Sequence, residues 1–176
     1  PDSTFFSRER VERILAFVVA VGSAVLGVQA LFHAIGSVQE DPTWNIALTA
    51  ATFGPLILMI AAGVAGRFYR PLAAILAIVF PLVLLAWPVA TAGRSASAAG
   101  EPWVWYLLNV ATVATVLVFP LMLQYVWCAL VPVLYGVARL IQIGADVENV
   151  IQVSRQVVYA IILAVVMTMI GWMLRL

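Results

Sequence analysis

Lysine is absent from this sequence, cysteine and histidine occur once each, and only 10% of the 176 residues are charged. The single cysteine, Cys128, excludes a disulfide within the chain and a cysteine metal site. A retinal Schiff base needs a lysine, and a bis-histidine haem needs one more histidine than His33. The net charge of +1 gives no electrostatic reason to bind nucleic acid. We therefore expect no cofactor, no metal and no nucleic-acid partner.

Groups that carry out catalysis are equally scarce. Nucleophilic catalysis needs a base beside a serine or cysteine, and no such pairing is apparent around His33 or Cys128. The apolar runs hold no acidic or basic residue at depth, which disfavours proton-coupled transport. A passive pore lined by backbone and hydroxyl groups stays compatible with the sequence. We expect no enzymatic activity from this chain alone.

Long apolar runs are what the chain has instead, with 65% hydrophobic residues. The charge-free runs are 14–39, 42–66, 71–93, 102–138 and 156–174. A membrane span needs about 20 residues, so four of these runs hold one span each. The run 102–138 would form a helix of about 55 Å, and Pro120 lies at its middle. We predict a hairpin there; the alternative is one kinked helix followed by an amphipathic surface segment.

The predicted fold is thus all-α, a polytopic transmembrane helix bundle of six spans, with five as the alternative. The whole chain, 1–176, forms one transmembrane domain. Its spans are predicted near 11–36, 45–66, 69–92, 103–120, 123–141 and 147–175. The segment "TAGRSASAAGEP" between the third and fourth spans is a flexible polar linker by composition.

Arginine is distributed unevenly between the two sides of a six-span chain. One side has six arginines: Arg8, Arg10, Arg13, Arg67, Arg70 and Arg175. The other side has three: Arg94, Arg139 and Arg155. Because cytoplasmic loops carry the excess of basic residues, both termini are predicted to be cytoplasmic. Arginine without lysine indicates a GC-rich bacterial genome, so the expected location is a bacterial plasma membrane.

Polar and aromatic side chains gather at the predicted external ends of the first, second and fourth spans. They are His33, Trp44, Trp103, Tyr106 and Asn109. An aromatic-lined pocket with a few polar groups is the usual form of a small-molecule site, and these five residues are the predicted ligand contacts. The competing interpretation is an ordinary aromatic belt at the membrane interface. Small residues four apart predict close helix packing and admit a homodimer or a partner membrane subunit.

Three stretches, "EPWVWYLLNVATVATVLVFP", "VPVLYGVARL" and "VVYAIILAVVMTMIGWMLRL", resemble the N-terminal membrane region of actinobacterial sensor histidine kinases. In that family a short-looped multi-span region leads directly into a cytoplasmic kinase. This sequence has no phosphoacceptor-histidine region and no ATP-binding motif, so the resemblance implies only the sensor part of a two-component system. The expected function is a membrane signal-input module. The alternative is a small polytopic transport, channel or complex-assembly subunit, complete as written.

Overall fold

The computed structural model describes residues 2–94 and 100–176, with side chains from Arg8 onward. This part of the chain is all helical and contains no strand, which confirms the predicted fold class. Residues 95–99 of the predicted flexible linker lie outside the described part. The α-helices are α1 (Asp2–Ala34), α2 (Pro42–Ala65), α3 (Tyr69–Ala90), α4 (Trp103–Ala114), α5 (Leu121–Ile143) and α6 (Val147–Leu174), and a 3₁₀ turn (Thr115–Leu117) follows α4.

Five of these helices are long and apolar enough to cross a membrane: α1, α2, α3, α5 and α6. Their outer faces expose large apolar side chains, such as Ile46, Val89 and Tyr159. Large apolar patches of this kind are covered by lipid or by another protein, and a helix satisfies its own backbone groups in a bilayer. The bundle is therefore consistent with a multi-pass membrane protein in contact with lipid.

The fourth helix lies at the centre of the bundle. It contacts α1, α3, α5 and α6, and every residue from 102 to 119 is buried or half-buried. With its 3₁₀ turn it extends only from Trp103 to Leu117, about 24 Å at helical rises. A helix enclosed by protein does not have to match the thickness of the hydrocarbon, and this explains how α4 can be shorter than its neighbours.

The predicted hairpin at Pro120 is present, because α5 begins at Leu121 with Pro120 as its N-cap. The preceding helix is shorter than the predicted 103–120. It changes to a 3₁₀ turn at Thr115, where the Thr115 hydroxyl bonds back to the Thr112 carbonyl. Proline disfavours helix at the residue before it, so the chain leaves the helical path before Pro120 instead of at it.

Two carbonyls that proline leaves without an intrahelical donor are capped by side chains from other helices. Pro81 cannot donate to the Ala77 carbonyl, and Trp127 Nε1 of α5 donates to it at 2.7 Å. Pro120 likewise leaves the Val116 carbonyl free, and Arg175 Nη2 donates to it at 2.6 Å. At both prolines the freed carbonyl thus forms a contact with another part of the bundle.

Glycines bring three helix pairs close together. A Cβ atom added at Gly63 of α2 would lie 2.8 Å from the Ala16 carbonyl oxygen of α1. One added at Gly136 of α5 would lie 2.6 Å from Val157 Cγ2 of α6, and one added at Gly171 of α6 would lie 2.6 Å from Val116 Cγ1. Small residues permit helices to approach this closely. Two of the three contacts, at Gly136 and at Gly171, involve α6.

Candidate functional site

The bundle has two polar ends. We call the end where α1, α3 and α5 finish and α2, α4 and α6 begin the Glu40 end. The opposite end, where the chain reaches residue 175, is the Arg175 end. Each has a cavity. α4 and the first part of α6 line the one at the Glu40 end, and the 3₁₀ turn after α4 and the last part of α6 line the one at the Arg175 end.

Glu40 is a fully buried carboxyl group, with 0% of its surface exposed. Trp103 Nε1 donates to Oε1 at 2.9 Å, Asn45 Nδ2 donates to the same oxygen, and Ser37 Oγ donates to Oε2 at 2.8 Å. All three donors are neutral. The Glu40 carboxyl therefore ties the loop after α1 to α2 and to the central helix through hydrogen bonds.

Arg139 is the second buried charged residue at this end, with 5% of its surface exposed. Nη1 donates to Gln39 Oε1 at 3.0 Å and to Gln142 Oε1 at 2.7 Å, and Nη2 donates to the Gly100 carbonyl at 3.0 Å. Trp87 Nε1 also donates to Gln142 Oε1, at 2.9 Å. Among the described residues every acceptor of the guanidinium is neutral, and three bonds engage its five N–H groups, so donors remain for a further acceptor within this part of the chain.

A cavity of about 410 Å³ lies beside Arg139. Across it, the Tyr106 hydroxyl donates to Glu101 Oε2 at 3.1 Å and lies 3.3 Å from His33 Nε2. The side of the cavity formed by α6 includes Gln156, whose Oε1 accepts from the Tyr135 hydroxyl at 2.9 Å. The full lining is His33, Gly100, Glu101, Tyr106, Arg139, Ile143, Gln152, Val153 and Gln156.

The structure brings together two of the five predicted ligand contacts, because His33 and Tyr106 both line this cavity. Trp103 is buried and bonded to Glu40. Trp44 lies at the surface, outside the cavity lining. Asn109 is half-buried one turn further along α4, and its Oδ1 has no hydrogen-bond partner among the described residues. Ligand binding by these five side chains stays a prediction.

The polar residues that organise this end were not among the predicted site residues. Arg139 entered the prediction only as a charge for orientation, and Gln39, Gln142 and Gln156 did not enter it. One signal was available: Tyr135, Arg139 and Gln142 follow each other at i, i+4 and i+7, which places three polar groups on one face of α5.

At the Arg175 end, the side chain of Arg175 connects the end of α6 to two other parts of the bundle. Arg175 donates from Nε to Glu12 Oε1 at 2.6 Å and from Nη2 to Glu12 Oε2 at 3.0 Å, in addition to the Val116 carbonyl. We call these three contacts, two to Glu12 and one to Val116, the Arg175 clasp. It joins the end of α6 to α1 and to the 3₁₀ turn after α4, so the C-terminal end of α6 is held in place.

Replacing Arg175 by alanine should lower the free energy of unfolding by about 1–2 kcal/mol, because a bidentate ion pair and a carbonyl cap are lost together. The two side chains are only 21% and 26% exposed, so solvent screens this pair less than a fully exposed one. Denaturation in detergent micelles measures the loss. Arg13→Ala is the matched control: it removes an exposed i,i+4 pair with Glu9 and should change stability by less than about 0.5 kcal/mol. Equal losses in the two variants would contradict a stabilising clasp.

The two ends offer binding and positioning groups: guanidinium, amide and carboxyl groups held by hydrogen bonds. Like α1 and α5, α6 reaches both ends. It does so through Gln152 and Gln156 at one end and, directly after its last residue, through Arg175 at the other. Comparison of the chain with protein-family models, with curated proteins and with solved structures finds no match, so its function has to be inferred from the geometry of these two ends.

Proposed function

We propose that the chain is a membrane signal-input module in which α6 links the cavity at the Glu40 end to the Arg175 clasp. One observation supports this above all. α6 is a continuous helix of 28 residues without internal proline, about 42 Å long. Near its start Gln152 and Gln156 line the cavity, and Arg175 follows directly after its end. A displacement at one end of so stiff an element reaches the other.

The proposed input is a small polar molecule in the cavity. Arg139 supplies a cation with unused N–H donors, Glu101 supplies a carboxyl group, and Gln156 supplies an amide. This set suits a zwitterionic or otherwise polar compound. A ligand that competes for Gln156 would weaken its bond to Tyr135, one of the contacts that seat α6 on α5.

The proposed output is a change at the Arg175 clasp. Packed helices shift between discrete arrangements more readily than they deform continuously. Because the clasp depends on three short contacts to Arg175, a small translation or rotation of α6 would replace one set of contacts with another. The arginine excess at this end, through the positive-inside rule, supports the proposal that the clasp and both termini are cytoplasmic. The proposed location is a bacterial plasma membrane, as the resemblance implies.

A transport function is less well supported by the interior of the bundle. The cavity at the Glu40 end reaches α4 at Tyr106, and the cavity at the Arg175 end reaches the same segment at Val116. Between them lie about six buried α4 side chains, among them Leu107, Leu108 and Ala111. This packed middle separates the two cavities, so we favour signal input over a continuous pathway for a solute.

The test is whether a change in the cavity moves the other end of α6. Spin labels at Ile14 and Met173, both exposed near the Arg175 end, report the distance between α1 and α6 in a Cys128→Ser background in nanodiscs. Gln156→Leu removes the acceptor of Tyr135 and should shift or broaden the distance distribution. Arg175→Ala removes the clasp contacts and gives the reference distribution of label distances for an α6 end that is no longer held.

The matched control is Ile162→Leu, which alters an exposed apolar position on the same helix and should leave the distribution unchanged. If Gln156→Leu gives the control's distribution while Arg175→Ala gives a broader one, the two ends are not coupled through α6. The signal-input proposal then fails, and a structural subunit of a larger membrane complex becomes the better interpretation.

A further inference from the structure

The cavity at the Arg175 end, about 460 Å³ in volume, has an excess of positive charge. Of the side chains that the structure describes, Arg8 of α1, Arg70 of α3 and Arg175 line it together with one acidic residue, Glu12. Both Glu12 oxygens are engaged by Arg175. Within the described residues Arg8 and Arg70 make no ion pair, so two guanidinium groups on two different helices face the cavity without a counter-charge.

The first turn of α5 adds to this positive potential. Leu121, its first residue, lines the cavity, and the N-cap Pro120 provides no side-chain cap. The first N–H groups of an α-helix have no intrahelical partner, and they carry the positive end of the helix dipole. An uncapped helix start beside unpaired arginines is the arrangement that binds a phosphate or carboxylate group.

The surroundings of the cavity indicate where such an anion comes from. Trp172 lines it with 48% of its surface exposed, and aromatic side chains of this kind lie at the level of lipid headgroups. Exposed apolar side chains adjoin it on α5 and α6, including Met122 and Met173. The cavity therefore lies where the charged end of the bundle meets the surface that contacts acyl chains.

We propose that this cavity binds the headgroup phosphate of an anionic phospholipid. Arg8 and Arg70 are the phosphate ligands, the first turn of α5 donates N–H groups, and the acyl chains follow the apolar faces of α5 and α6. Guanidinium groups suit this role because they present paired N–H donors to phosphate oxygens. Basic pockets between membrane helices bind anionic headgroups by the same chemistry. The site is independent of the polar cavity at the Glu40 end.

The experiment counts lipids bound to the full chain in detergent by native mass spectrometry. Phosphatidylglycerol and phosphatidylcholine of equal chain length are titrated separately, and inorganic phosphate forms a third arm. The wild-type chain should bind one phosphatidylglycerol about tenfold more tightly than phosphatidylcholine. The double variant Arg8→Gln, Arg70→Gln should lose that preference.

Arg10→Gln, Arg67→Gln is the matched control, because it removes the same charge from the same end at positions outside this cavity; it should keep the preference. Equal losses in the two double variants would mean general surface attraction, and no preference in the wild type would mean no site; either result overturns the proposal. Saturable binding of inorganic phosphate without a lipid preference would assign the site to a soluble anion and overturn the lipid assignment. Thermal unfolding without added lipid checks folding, and Arg70→Gln alone replaces the double variant if that variant unfolds.

Discussion

Replacing Glu40 by alanine is expected to lower the free energy of unfolding by about 3 kcal/mol or more. The carboxyl group is fully buried and accepts from Ser37, Asn45 and Trp103. Alanine would leave the Trp103 N–H and the Ser37 hydroxyl without this acceptor, whereas Asn45 Nδ2 would keep the Ala34 carbonyl. An unsatisfied buried donor costs about 1–3 kcal/mol, and Trp103 is the buried one of the three, with 1% of its surface exposed.

The measurement is denaturation of the purified chain in detergent micelles, followed by tryptophan fluorescence. Glu40→Gln should cost less than Glu40→Ala, because the amide oxygen still accepts one bond and its nitrogen can donate to the Ser37 hydroxyl. Glu148→Ala removes an exposed acidic residue and should leave stability within about 0.5 kcal/mol of the wild type. If Glu40→Ala behaves like Glu148→Ala, Glu40 is not the structural acceptor that the hydrogen bonds indicate.

Local chemistry made some of the helix ends predictable, although α1 begins earlier and α4 ends earlier than predicted. Asp146 directly precedes α6, and its Oδ1 accepts from the Asn149 N–H at 2.9 Å, as expected of an N-cap aspartate. Pro120 predicts the break between α4 and α5 because its missing N–H and the restriction on Phe119 act within one turn of chain. Features of this kind depend on a few neighbouring residues, which a single sequence displays in full.

The polar end could not be predicted in the same way, because its partners are distant in sequence. Glu40 and Trp103 are separated by 63 positions, and Arg139 and Gln39 by 100. A pattern along the chain indicates that such residues are polar and near a membrane boundary. It does not tell which of them pack inward. The shortness of α4 has the same origin, since it depends on enclosure by four other helices.

Replacing Gly136 by valine should lower the free energy of unfolding by about 3 kcal/mol. A Cβ atom at this position would lie 2.6 Å from Val157 Cγ2 and 3.6 Å from Val153 Cγ1. Val157 is β-branched and has little rotameric freedom in a helix, so it cannot turn away. The α5–α6 pair would have to separate, which exposes the packing around the Tyr135–Gln156 hydrogen bond.

Two further variants distinguish a tight contact from a general effect of valine in a helix. Gly22→Val introduces the same side chain in the interior of α1, where an added Cβ meets nothing within 4 Å, and it should be neutral or slightly stabilising because glycine is a poor helix former. Val157→Ala, combined with Gly136→Val, removes the methyl groups that the new side chain meets and should recover at least half of the loss. Additive losses in that double variant would contradict a direct contact between the two positions.

Gly136→Val also tests whether α6 transmits a displacement, apart from its effect on the stability of the bundle. Gly136 of α5 meets α6 at Val157, next to Gln156 of the cavity lining, and the Arg175 clasp is at the far end of α6. If α6 moves as one stiff element, the folded fraction of Gly136→Val should show a changed distance between labels at Ile14 and Met173, and Val157→Ala should restore it. A restored stability with an unchanged distance throughout would show that α6 bends locally around Gly136. It would then hold the bundle together without transmitting a displacement along its length.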